Sequence, residues 1–99
     1  MHEWHVPERF DVLIKDQIYE IKLVSRIPKR GGGKNSDGFT CPETHEIFIR
    51  KTLSAEEVLE TLIHEYIHAI ELEYDIDIPH DLIYQLEIPI RRLLLDNYL

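Results

Sequence analysis

Apolar and polar positions alternate with one period in the first half of the chain and another in the second. From Gln17 to Val24, Tyr19, Ile21 and Leu23 form a uniformly apolar set, while Ile18, Glu20, Lys22 and Val24 form a mixed one. A period of two with one apolar side predicts a half-buried strand. The shorter apolar stretch Phe10–Ile14 precedes it, and Lys15-Asp16 makes a turn between them. His45 to Lys51 predicts another strand, with Ile47 and Ile49 on one face. Pro42, just before it, suits a strand entrance or a sheet edge. Pro28-Lys29-Arg30-Gly31-Gly32-Gly33-Lys34-Asn35 reads as a solvated loop.

After Lys51 the spacing becomes helical. Ser54 followed by Glu57 is a capping-box pattern, in which each side chain serves a free backbone N–H. Val58, Leu59, Leu62, Ile63, Tyr66, Ile67 and Ile70 then recur at helical intervals, which predicts a helix over 55–74. Pro79 stands where a second helix can begin. That helix is expected over 80–96, burying Leu82, Ile83, Leu86, Ile90, Leu93 and Leu94, with Pro89 kinking or splitting it. Strands followed by helices predict an α+β fold: a small antiparallel sheet, the first helix, and a C-terminal helix, all in one domain spanning 1–99.

Composition narrows the function classes. Ninety-nine residues, 43% hydrophobic and 30% charged, suit one globular domain. Lys and Arg number 11 against 19 Asp and Glu, a net charge of −8. That balance argues against nucleic acid as a partner, since phosphates need cations to neutralise them. Cys41 is the single cysteine, so no intrachain disulfide can form and a reducing compartment is expected. No apolar run approaches the roughly 20 residues of a membrane helix. Met1–His5 is too polar for a signal peptide. A cytoplasmic protein without a membrane partner is therefore expected.

The chemistry is concentrated in His64-Glu65-Tyr66-Ile67-His68. Histidines four apart on a helix project from one face and can share a metal ion, with Glu65 beside them as general base. Zinc on such a pair acidifies a bound water to a pKa of about 7 and polarises a carbonyl. Glu65 would take the proton and later deliver it to the leaving amine. The histidines lie opposite the apolar stripe, so one side of the helix packs while the other faces a cleft. Read as a bland feature, the same residues are a solvated polar face.

A catalytic zinc takes three protein ligands and leaves one position open. His80, twelve residues beyond His68 at the start of the second helix, is the favoured third ligand. Glu87 is the rival, nineteen beyond His68. Seven residues apart, the two share a helix face, so one can bind metal while the other supports it. Glu71 also shares the histidine face, but three ligands along one straight helix converge poorly. Cys41 is a soft-ligand candidate whose plainer role is packing. Tyr66 and Tyr84 read as core, with Tyr84 able to stabilise an oxyanion if it reaches the site. His2 and His5 form an adventitious metal pair at most, and His45 is spare.

The run Thr61-Leu62-Ile63-His64-Glu65-Tyr66-Ile67-His68-Ala69 resembles the active-site helix of zincin-type metallopeptidases. Ile78-Pro79-His80 resembles the region of the third histidine in SprT-like proteases, and Glu46–Arg50 resembles the zincin edge strand along which a peptide lies. The chain is also similar to small metallopeptidase-like proteins of phage and bacterial genomes. The resemblance covers roughly residues 36–96. It implies a minimal zincin-like domain that hydrolyses peptide bonds in a peptide or protein substrate. Zinc would be held by His64, His68 and His80, with Glu65 catalytic. Two departures stand out. Asp81 follows His80 where SprT-like proteins commonly have glycine, and the chain is acidic where they carry basic DNA-binding regions. Glu87 falls at a spacing similar to that of the third ligand in glutamate-ligated zincins. Two alternatives stay open: a zinc-binding regulatory module closed by four ligands (His64, His68, His80 and Glu87), and an enzyme inactive without a partner.

Overall fold

A computed structural model describes residues 5–98; His2 lies outside them. Strand β1 (Arg9–Ile14) and strand β2 (Gln17–Val24) form a hairpin around Lys15-Asp16, with Lys15 in the left-handed region at φ 56°. The glycine-rich segment folds into two short 3₁₀ turns, Lys29–Gly31 and Gly33–Asn35. Strand β3 (Gly38–Cys41) follows, then strand β4 (Glu46–Arg50), helix α1 (Ala55–Tyr74) and helix α2 (His80–Asn97).

The fold is α+β, as expected, but the sheet is mixed. Its order is β1-β2-β4-β3, antiparallel at both outer pairings and parallel between β2 and β4. The long connection after β2 carries the chain across the sheet so that β4 lies parallel to β2, and β3 takes the outer place. Glu46–Arg50 is consequently an internal strand, and β3 is the edge nearest the helices. Strand β3 escapes sequence reading because it has four residues, one of them glycine, and no alternation of apolar and polar side chains.

The core has two parts joined through α1. Tyr19 and Ile21 from β2, and Ile47 and Ile49 from β4, are fully buried against Val58, Leu62 and Ala69 of α1. Each buried isoleucine, leucine or valine among them stabilises the fold by about 1.5–3 kcal/mol. The adjoining face of α1, with Leu59, Ile63 and Ile67, packs on Ile83 of α2. The capping box at the start of α1 forms as the sequence predicts. Ser54 Oγ accepts the Glu57 N–H, and Glu57 Oε1 accepts the Ser54 N–H, both at 3.2 Å.

Helix α2 packs on a narrower stripe than its sequence suggests. Ile83 alone is fully buried among its described residues; Ile90, Leu94 and Leu95 are half-buried, whereas Leu82, Leu86 and Leu93 are exposed. Ile83, Ile90 and Leu94 share one helix face, and the exposed leucines fall on the next face round, beyond the reach of α1. The helix runs through Pro89 without splitting. Pro89 and Gln85 are both exposed, so the carbonyl that the proline leaves without a partner faces water.

Candidate metal centre

Helix α1 presents His64 and His68 one turn apart on a face outside both core clusters, and α2 returns so that its first residue, His80, meets them. One ring nitrogen from each of the three lies within 4.8 Å of the others. Ring centroids are 4.7 Å apart for His64 and His68, 5.5 Å for His64 and His80, and 5.1 Å for His68 and His80. The three histidines are thus close enough together to hold one metal ion.

The hydrogen bonds orient these rings. His64 donates from Nδ1 to Glu87 Oε1, and His68 donates from Nδ1 to Glu71 Oε1 at 3.0 Å. An ionised carboxylate only accepts, so each Nδ1 carries its proton and each Nε2 is left with a lone pair. Those two Nε2 atoms face each other at 3.0 Å. Two lone pairs at that separation repel unless a cation or proton lies between them. The donor set therefore fits a metal ion.

Glu87 is thereby placed as a partner of His64. Its carboxylate bonds the His64 ring at Nδ1, while the third nitrogen close to those of His64 and His68 is that of His80. Glu71 has the same relation to His68, and its other oxygen, Oε2, accepts the Ile78 N–H at 2.7 Å. Both carboxylate side chains are largely buried. A carboxylate behind the imidazole fixes tautomer and ring orientation and raises ligand basicity.

Glu65 is buried, with 7% of its surface exposed, yet it lines the same space as His64. Strand β3 makes this possible. Thr40 Oγ1 donates to Glu65 Oε1 at 2.8 Å. At Gly38, a Cβ would come within 3.1 Å of Glu65 Oε2 and 2.6 Å of Thr61 Cγ2. Neither Gly38 nor Thr40 carries a sequence signal for this role, because their relation to Glu65 arises only through the sheet.

Two clefts meet at Gly38, His64 and Glu65. One, of about 400 Å³, has Asp37, Glu57, Glu60, Tyr84 and Glu87 in its walls. The other, of about 690 Å³, runs past Phe39, Pro42, Leu72 and Ile76. Tyr84 is exposed and its ring stands 5.3 Å from that of His64. Tyr66, by contrast, is a packing residue, and burial pushes its phenol up to about 12.

The remaining candidates fall elsewhere. Cys41 is buried and donates to Glu43 Oε2 at 3.3 Å. His45 stacks edge-on against Tyr19, and His5 is exposed. The glycine-rich segment supports β3: a Cβ on Gly31 would fall 2.2 Å from Phe39 Cγ, so only glycine allows this approach. No helix among the described residues is long and apolar enough to cross a membrane. No protein-family model, curated protein or solved structure matches the chain.

Proposed function

We propose that this chain is a zinc-dependent peptidase domain in which His64, His68 and His80 hold the ion and Glu65 is the general base. The carrying observation is the convergence of the three histidines, two of which share a cleft with a buried carboxylate, Glu65. Two imidazoles on this motif with a third nitrogen favour zinc over harder cations. When bound, zinc supplies an acidified water and polarises a carbonyl.

The chain's own residues supply the rest. Thr40 occupies Glu65 Oε1, so Oε2 is the atom that takes a proton from the attacking water and returns it to the leaving amine as the peptide C–N bond breaks. The open side of β3 offers main-chain groups to an extended peptide, which would lie as an added strand between the two clefts. Tyr84 stands at the rim, where a phenol can donate to a developing oxyanion. The contact of Glu87 with His64 Nδ1 favours an open three-ligand site over the closed four-ligand site of a purely structural zinc module.

The test compares wild type with Glu65→Gln, using zinc content and turnover of a mixed library of quenched fluorescent peptides. Chelator-sensitive turnover in wild type, with one zinc but no turnover in the variant, is the expected result. A wild type that holds one zinc and cuts nothing would move the chain to the non-hydrolytic or partner-activated readings. Full turnover in the pure zinc-loaded variant would remove Glu65 from the mechanism.

A further inference from the structure

We infer that Glu71 is a positioning residue for two of the three metal ligands at once, holding the ring of His68 directly and His80 through the main chain. The inference rests on the three-histidine site but not on peptide hydrolysis. His64 and His68 each have a carboxylate at Nδ1, whereas His80 is exposed and shows ring contacts but no side-chain hydrogen bond among the described residues. His80 is placed by the backbone that leads into it. That backbone, from Ile76 to Pro79, has no regular structure. Glu71 ties it down repeatedly: its carbonyl accepts the Asp75 N–H and, at 3.1 Å, the Ile76 N–H, and its Oε2 accepts the Ile78 N–H, two residues before His80.

The same carboxylate therefore closes a bracket from His68, across the turn, to the start of α2. Hydrogen bonds to an ionised acceptor are roughly twice as strong as neutral ones. The substitution Glu71→Gln would keep only one acceptor oxygen for two donors, so either His68 or Ile78 would lose its partner. Glu73 offers an internal comparison. It lies two residues further along the helix, accepts the Tyr19 hydroxyl at 2.6 Å and reaches no metal ligand of the triad.

The experiment measures the zinc dissociation constant by competition with a chromophoric chelator for wild type, Glu71→Gln and Glu73→Gln, at a temperature where circular dichroism shows all three folded. Amide exchange at Ile78 is followed with and without zinc. Glu71→Gln is expected to weaken zinc binding about 10–100-fold, and exchange at Ile78 shows which of the two donors has lost its acceptor: lost zinc-dependent slowing marks Ile78, retained slowing marks His68. Glu73→Gln is expected to lower stability while leaving zinc affinity alone. Zinc affinity in Glu71→Gln within about twofold of wild type overturns the inference alone. A wild type that binds no zinc overturns it together with the metal centre.

Discussion

Ile83→Ala removes the side chain by which α2 is most firmly docked. Ile83 is fully buried, at 0% exposure, against Leu59, Ile63 and Ile67. The substitution deletes three carbons, a transfer loss of roughly 2.4 kcal/mol at about 0.8 per methylene. The cavity left behind adds to this and brings the total to about 3–4 kcal/mol. A chain of this size has about 5–15 kcal/mol to lose. Urea unfolding followed by circular dichroism, without metal, reads the loss directly. In the proposed site zinc binds only when α2 has brought His80 to α1, so zinc at 100 times its dissociation constant should restore about 2.7 kcal/mol. A metal-free loss under about 1 kcal/mol would show that α2 is held elsewhere. A full loss with no shift on adding zinc would show that its docking and the histidine site are independent.

His80→Ala should abolish stoichiometric zinc, whereas Glu87→Ala should keep one zinc per chain at about 10–100-fold weaker affinity; mass spectrometry and chelator competition separate the two, and loss of zinc with Glu87 alone would reverse the assignment. Gly38→Ala should displace Glu65, costing about 1–3 kcal/mol of stability and lowering turnover more than zinc content; unchanged turnover would show that Glu65 does not depend on that contact. The Ser54 hydroxyl, and then the Ser54 backbone N–H, hold the Glu57 carboxyl below the usual carboxylate range. Its contribution is therefore complete above the unfolded value of about 4.3 and is lost as pH falls through the lower folded value. Glu57→Gln should accordingly flatten the acid limb of the stability profile, and an unchanged limb would count against the cap as its source.

Much of the fold is legible in the sequence because its signals are local. Alternation locates β2 and β4, the Ser54–Glu57 pair locates the start of α1, and helical spacing identifies the apolar face of α1. The histidine pair is legible for the same reason, since four residues on a helix make one turn. Relations across the chain are not legible. Whether His80 or Glu87 bonds a metal depends on the distance from α1 to α2, and their shared face on α2 leaves both possible. Divergence along one helix counts against Glu71 as a ligand, yet its spacing of three from His68 is the spacing of side-chain partners. Leu82, Leu86 and Leu93 read as core by their apolarity; the width of the α1 contact leaves them outside it. Gly38 and Thr40 have meaning only beside Glu65.

The five side chains that form the histidine site and its supports (His64, His68, Glu71, His80 and Glu87) all lie on the α1–α2 hairpin. The loop a cation would close between His64 and His80 spans sixteen positions, a short one whose closure entropy is small. Contacts this local form early, whereas β2 and β4 must find each other across the glycine-rich segment. The histidine cluster can thus form from one local stretch, whereas the surroundings of Glu65 need Gly38 and Thr40 of β3. In the proposed function, holding the metal and setting the general base therefore draw on separate stretches of chain.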